Sequence, residues 1–445
     1  MIPTPAAPSP AATTTACPGC AAPIVDDPRA RTWCPACEWN LTDAAPVVEH
    51  RTARARRRAE REERRTAARE RAVRARVEHV HGLVAADAPA HRDLSALAAY
   101  GLAGLVHLVS LGVLTGSVLL LLTDAWPARV LGSVGLLLAF LLRPRLGSFR
   151  TERKDAVTRP EAPALYGLAD RVAAALGTRP VDAIVVDGSF NASFGKHGPR
   201  RRSVLHLGLP LWYALTPQQR VALLGHEFGH GVNGDNRRGL WLHSAGSALV
   251  EWFRLTRPAP HDLHREGIVA VAMWVSRLFL RAANLAAYGL LIALERLTVR
   301  AGQAAEYRAD RLAADTAGAG AAAGMLAMLL NGPTVETVIR RRRAVPRRGR
   351  NLSSRQALPD RDLWAEIAAD CASVPAQERE RRLRLSAREL GAVDSTHPPT
   401  HLRIRLLEQQ PEGEPAVRVE PAELDAVEAE LAPYRERIER ELMAV

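Results

Sequence analysis

Two groups of side chains in this sequence have the types and spacing for metal chemistry. The first is His226-Glu227-Phe228-Gly229-His230. On an α-helix, residues four apart lie about 40° apart around the axis, so both imidazoles share one face and can hold one Zn²⁺. Glu227 follows the first His directly and lies near the metal without binding it. A carboxylate there can take a proton from a metal-activated water, so the pattern is a mechanism for hydrolysis as well as a motif. The second group is Cys17-Pro18-Gly19-Cys20 and Cys34-Pro35-Ala36-Cys37, with 13 residues between the pairs. Paired C-x-x-C at this separation fits a tetrahedral structural zinc site, and four thiolates leave no position open for substrate. The segment has too few apolar residues to fold on burial alone, so metal supplies most of its stability. Two disulfides or free thiols would be the rival reading, and disulfides need an oxidising compartment.

A catalytic zinc takes three protein ligands and keeps one position open. A third His at the H-E-x-x-H-x-x-G-x-x-H spacing would fall at position 236, where Asn236 stands. A carboxylate from a later helix is the other common solution. Glu306 is favoured because Asp310 follows one turn on, placed to accept a hydrogen bond from a ligand His. Glu251 and Glu295 are the rivals, and neither has such a partner.

The elements that must hold these groups are legible in outline. Thr216-Pro217-Gln218-Gln219 reads as a helix start, with Thr as N-cap, Pro first and Gln three on; Gly231 and Asn233-Gly234 read as its stop. Before it, Leu165–Leu176 reads as a helix and Val181–Val186 as a strand. Asn191-Ala192-Ser193-Phe194 and Ser203–Leu207 read as a hairpin around a loop over Gly195–Arg202. After it, Ala-rich helices run from the Glu306 region to about Leu330. Arg340–Arg350 reads as a basic loop, 361–390 as helical, Asp394–Pro399 as a turn into another helix, and Glu420–Met443 as a charged, peripheral helix. The fold class is mainly α with a small β-sheet, plus the zinc ribbon.

Charge and hydropathy divide the chain. It carries 60 Lys+Arg against 48 Asp+Glu, and its only lysines are Lys154 and Lys196. Arg51–Arg76 holds twelve Arg and four Glu, a net +8, so most of the +12 surplus sits in one stretch. That concentration argues against a generally nucleic-acid-binding surface. The stretch reads as an exposed helix over 50–80 with i,i+4 pairs such as Glu60–Arg64 and Glu70–Arg74. It is either attracted to anionic headgroups or a solvated spacer. Leu94–Leu122 exceeds the ~20 apolar residues that span a bilayer, and Val130–Leu142 is a shorter second run. Arg-dense outer flanks make 94–142 a membrane hairpin with both ends in the cytoplasm. Residues 240–297 read as a second hairpin, or as an amphipathic surface pair. Its polar stripe of Arg277, Arg281, Asn284, Tyr288 and Glu295 faces the catalytic domain. The expected order is a disordered tail (1–16), the ribbon (17–40), the Arg-rich helix, the membrane hairpin, a catalytic domain (155–410) and a C-terminal helix (411–445).

His226-Glu227-Phe228-Gly229-His230, Asn233-Gly234-Asp235, Glu306-Tyr307-Arg308-Ala309-Asp310 and Thr396-His397-Pro398-Pro399 with Arg403-Ile404 occur in the order seen in HtpX-like membrane zinc metallopeptidases. These are relatives of the CAAX prenyl endopeptidases, and the resemblance covers about 95–410. It implies His226, His230 and Glu306 as ligands of a catalytic zinc, Glu227 as general base and Asp310 as support for a ligand. It also implies His397 and Arg403 near the cleft; in the expected hydrolysis the developing oxyanion is held by Zn²⁺, with His397 or Arg403 as the candidate second contact. Asn191, Ala192, Ser193 and Phe194 resemble the family's cleft strand, which pairs with extended substrate. Expected partners are a polypeptide, membrane proteins above all, the lipid bilayer, and a protein partner for the ribbon. The expected place is the cell membrane, multi-pass, with N-terminus and active site cytoplasmic. Two departures stand out: the ribbon and Arg-rich helix are additions, and Gly302-Gln303-Ala304-Ala305 replaces the usual Ser-Arg-x-Arg. The competing reading is an idle membrane scaffold whose ribbon binds a protein or nucleic acid.

Overall fold

The structure is a computed structural model of the chain. It describes residues 13–42, 52–86, 94–143, 156–197, 202–232, 235–257, 268–344, 362–388 and 397–444. The tail before Thr13, the centre of the 195–202 loop, the Asn233-Gly234 stop, residues 345–350 and Asp394–Thr396 lie outside these.

The catalytic region is built on a four-stranded sheet. Strands β3 (Ala156–Val157), β4 (Ala183–Asp187), β5 (Ala192–His197) and β6 (Arg202–Gly208) stand in the order β3-β4-β6-β5. For this numbering β1 (Thr13–Ala16) and β2 (Pro23–Asp26) form a separate hairpin in the ribbon. The β4–β6 pair is parallel, and β5 runs antiparallel to β6 with Ala192 opposite Leu207. The Ala-Ile-Val-Val run of β4 is buried throughout, as a strand covered on both faces requires. Strand β5 pairs with β6 as the expected hairpin requires, and it lies at the sheet edge.

Helices follow from the same patterning. Before the catalytic region come α1 (Ala53–Ala85), α2 (Leu94–Leu121) and α3 (Trp126–Leu141). Around the sheet are α4 (Pro163–Ala175), α5 (Leu209–Ala214) and α6 (Pro217–Val232). Helix α6 begins as its capping signal predicts: the Thr216 backbone N–H donates to Gln219 Oε1 at 3.0 Å. Then follow α7 (Asp235–Leu255) and α8 (Ile268–Ala317). The chain ends with α9 (Ala319–Leu329), α10 (Gly332–Ala344), α11 (Leu363–Ala372), α12 (Ala376–Arg388), α13 (Thr400–Glu408) and α14 (Pro421–Ala444).

Among the described residues, two helices are long and apolar enough to cross a membrane, α2 and the stretch of α8 from Met273 onward, and α3 is a shorter apolar helix. Helices α2 and α3 form the expected hairpin. A side chain at Gly132 would sit 2.7 Å from the Ser117 carbonyl, so the missing Cβ allows that approach. Both α2 and α8 present exposed apolar side chains, among them Leu105, Leu108, Leu119, Trp274, Phe279 and Leu285. A second core of Ala99, Ala103, Val106, Ala245, Ala248, Leu249 and Leu294 joins α2, α7 and α8.

Several expectations change. Thr13–Ala16 is a strand, not part of a disordered tail, because it pairs with Pro23–Asp26 across the cysteine turn. Arg340–Arg343 end a helix instead of forming a loop, and Arg341 and Arg342 both bind Glu366. Helix α14 is not peripheral: Val427, Leu431 and Ile438 are fully buried in the main core. Glu430 on it caps α4, accepting from the backbone N–H groups of Ala164 and Leu165 at 2.7 and 2.9 Å. The polar stripe of α8 does not turn as one face to the catalytic domain. Asn284 bonds the Phe253 carbonyl of α7 at 2.7 Å and Tyr288 lies against Phe253, while Arg281 and Glu295 are exposed. The last third of α1 is not exposed on every side, since Val77 and Val80 are buried against Tyr307, Leu402 and Leu406.

Candidate metal centres

The catalytic cluster forms where α6 crosses α8. Gly225 and Gly229 make the crossing close: a Cβ on either would sit 3.1 Å from Ala313 Cα or 3.0 Å from Ala309 Cα. The two backbones therefore nearly touch, and each glycine precedes a histidine. His226, His230 and Glu306 come together as a result.

His226 Nε2 lies 3.3 Å from His230 Nε2 and 3.6 Å from Glu306 Oε2, and His230 Nε2 lies 3.5 Å from Glu306 Oε1. Ligands about 2.05 Å from a tetrahedral zinc stand roughly 3.3 Å apart, so the three fit one ion. Glu306 Oε2 is buried and accepts no hydrogen bond, although the Arg403 guanidinium lies 3.3 Å away. A buried carboxylate that faces two imidazole nitrogens and leaves one oxygen under-satisfied is what a cation site leaves when built from protein alone.

Behind the ligands lies a fully buried support. His226 Nδ1 stands 3.1 Å from Asp310 Oδ1, which sets the tautomer with the Nε2 lone pair facing the ligand cluster. Arg403 from α13 grips the same carboxylate with both arms, Nη2 to Oδ1 at 2.6 Å and Nε to Oδ2 at 2.8 Å. Burial opposes charge on His226, but the Asp310 hydrogen bond outweighs it and holds His226 above its ordinary pKa. Burial likewise works against the Arg403 cation, and the Asp310 carboxylate more than restores it. His230 goes the other way: burial first, then neighbouring His226, push it down to about 4, which keeps the imidazole neutral as a ligand must be.

Glu227 is buried, and burial pushes its carboxyl above the usual range, with a hydrogen bond from the Phe194 backbone acting against that rise. Strand β5 thus lies directly beside the carboxylate. Phe194 also meets Phe228 edge to face at 5.4 Å, while Asn191 and Ser193 are exposed. His397 Nδ1 approaches Glu306 Oε1 at 2.9 Å and keeps half its surface exposed. Phe194 and His397 are therefore near the cluster, while Arg403 is turned away from solvent and committed to Asp310. The rival ligands are elsewhere: Glu251 pairs with Arg254 at 3.2 Å, and Glu295 is exposed.

Residues 163–410 match Peptidase family M48. The chain belongs to that family. A protease HtpX homologue from Pyrobaculum calidifontis is 30% identical over 262 residues, covering 57% of this chain and 69% of that protein. No solved structure matches. The chain is thus an HtpX-like M48 metallopeptidase, mainly helical with a small sheet, and the family's peptidases are zinc-dependent.

The second cluster also fits its metal. Cys17 and Cys37 sulfurs stand 3.6 Å apart, as do those of Cys20 and Cys34, and all four lie within 4.8 Å of one another. A tetrahedron with bonds of about 2.3 Å has edges near 3.8 Å, so the geometry suits zinc, while disulfides at ~2.05 Å are absent from these four residues. The Gly19 N–H donates to Cys17 Sγ at 3.3 Å. Backbone N–H groups of Cys37 and Ala36 lower the Cys34 thiol to about 7, favouring the thiolate that a metal binds.

Sequence reasoning did not find how the ribbon sits. Trp33 is fully buried and exchanges two hydrogen bonds with Gln377 on α12, its indole N–H to the Gln377 carbonyl and Gln377 Nε2 to the Trp33 carbonyl, both at 3.1 Å. Arg381 donates to the Leu41 carbonyl at 3.0 Å, and Arg388 pairs with Glu38. The ribbon is docked on the peptidase domain and is not a free arm. The alternating Arg and Glu of α12 carried no hint of this, because they read equally well as a solvated face.

Proposed function

We propose that this metallopeptidase is a membrane-bound endopeptidase that cleaves polypeptides, membrane proteins among them, at the cytoplasmic face. The observation that carries the reading is the triangle of His226, His230 and Glu306 with Glu227 buried beside it and the β5 edge alongside. His226, His230 and Glu306 would hold the zinc, which would supply Lewis acidity to the scissile carbonyl and to a water at the site. Glu227 takes the proton of the attacking water and delivers it to the leaving amine. Its raised pKa suits both acceptance and return. Strand β5 aligns an extended substrate by backbone hydrogen bonds, so Asn191–Phe194 select for conformation more than for side chains. His397 steadies Glu306 and, being half exposed, is the cluster member open to the developing oxyanion. Arg403 is a positioning residue: both of its arms hold Asp310, and through it His226.

Helix α8 supports the membrane reading, because one unbroken helix of 50 residues carries the apolar stretch and then Glu306. The positions of Arg around 94–142 favour a cytoplasmic catalytic domain. The ribbon carries the second zinc and is structural. The test is Glu227→Gln in the full chain. It should retain two zinc ions and its unfolding transition while losing cleavage of a casein or membrane-protein substrate by at least about a hundredfold. Undiminished cleavage would refute the mechanism.

A further inference from the structure

Helix α1 has a charged face that the peptidase fold does not use. Arg54, Arg57, Arg58, Arg61, Arg64 and Arg65 recur at three- and four-residue steps, so they lie on one side of the helix, and all are exposed. Glu63 lies on the opposite side together with Arg56, which pairs with Glu60 at 3.6 Å, while Glu60 and Glu62 flank the arginine face one turn from Arg64 and Arg58. A helix built only to stay solvated would interleave the two signs around its surface. Here six arginines on one side stand against two flanking glutamates, so that side keeps a net positive charge.

The placement of α1 gives that face a direction. Arg311 on α8 donates to the Val84 carbonyl at 2.6 Å, and His81 meets Tyr307 edge to face. Moving back three residues on α1 therefore moves back four on α8. The two helices run in the same sense, and the arginine-bearing end of α1 points toward the end of α8 that carries the apolar belt. Tyr307 lies about 15 Å along the helix from Leu297, and Val77 lies about 36 Å from Ala53 at 1.5 Å per residue. The free part of α1 is longer than the first of these distances, so the helix must lean away from α8 for its arginines to lie in the polar layer over the lipid. The docking residues Val77, Val80 and Val84 sit roughly 120° round the axis from the arginines, so docking leaves the charged face outward.

We propose that the arginine face of α1 binds the anionic lipid surface of the membrane in which α2 and α8 are seated. The inference rests on the reading of those helices as spans. Guanidinium groups match phosphate in charge and geometry, and α1 has no apolar face there that would insert, so adsorption is electrostatic. Because the last turns of α1 lie against Tyr307 and Leu402, neighbours of Glu306 and Arg403 in the chain, the contact also fixes the height of the metal site over the bilayer.

The test uses the full zinc-loaded chain in nanodiscs of phosphatidylcholine alone and of phosphatidylcholine with about one-third phosphatidylglycerol. Amide hydrogen exchange is read over 53–72, with α6 as reference. The expected result is exchange at least about tenfold slower in the anionic discs, reversed by high salt. The effect should vanish when Arg57, Arg58, Arg61, Arg64 and Arg65 are changed together to Gln, a variant whose unfolding transition should match wild type. Equal exchange in both discs would overturn the proposal while leaving the spanning reading intact. Failure of the chain to enter either disc would overturn the spanning reading and the proposal with it. Protection by a single-stranded oligonucleotide in neutral discs, with none from anionic lipid, would overturn it in favour of a nucleic-acid partner.

Discussion

Asp310→Asn isolates the support behind the metal from the metal ligands themselves. Asp310 is fully buried and accepts from His226 at 3.1 Å and from both arms of Arg403 at 2.6 and 2.8 Å. An amide of the same shape cannot carry the charge, and its NH₂ must face either the guanidinium or the imidazole N–H as donor against donor. Two effects follow. Losing an outer partner of a ligand His weakens metal binding about 10- to 100-fold, or ~1.4–2.7 kcal/mol. Leaving a buried cation without its partner destabilises a fold by roughly 3–5 kcal/mol. Glu306 Oε2, 3.3 Å from Arg403, can take part of that charge, so the stability loss should fall near the low end. The same movement would draw Glu306 from the metal and add to the zinc loss. The assay is chelator competition on the full chain. The ribbon zinc serves as internal reference, since Cys17, Cys20, Cys34 and Cys37 share no residue with the cluster. One zinc should weaken and the other should not. Combining Asp310→Asn with Arg403→Met should recover stability relative to the single change, because no buried charge is then left unpaired. Unchanged affinity for both ions would refute the assignment of Asp310 as the group that orients His226.

Other expectations test separate joints of the structure. Gly229→Ala places a methyl 3.0 Å from Ala309 Cα, so forcing α6 from α8 should destabilise by about 1–3 kcal/mol and loosen the catalytic zinc, read by denaturation and chelator competition. Cys34→Ser should reduce zinc from two ions to one and expose Trp33, seen as a red shift in fluorescence, while the catalytic ion stays bound. Glu430→Ala removes the acceptor for two N–H groups at the start of α4 and should lower stability by roughly 0.5–2 kcal/mol in chemical denaturation.

Much of the site was legible because its geometry is local. Four-residue spacing on a helix puts His226 beside His230 whatever surrounds them, and the capping box at Thr216 and Gln219 fixes where that helix begins. The C-x-x-C pairs work the same way, since tight turns bring thiolates together and metal joins the pairs. Glu306 was reachable only with Asp310 one turn on, another local relation. What failed was long-range. Glu430 looked like one charge among many on a surface helix, but it caps a helix 266 positions earlier. Arg403 looked like a cleft residue, yet it is buried against an acid 93 positions earlier. The alternating charges of α12 gave no sign that Trp33 would dock there.

The sequence by itself determined the ligand types, their helical faces, the membrane-length apolar runs and the separate cysteine site. Each depends on spacing within one element. Tertiary structure alone decided that α8 is one continuous helix from the apolar belt to Glu306, and that Gly225 and Gly229 let α6 approach it closely enough to close the triangle. It also decided that the ribbon and the end of α1 lie against the peptidase domain. The physical reason is that a helix's period is written in its own residues. Which neighbour its face meets depends on shape, charge and burial summed over distant parts of the chain.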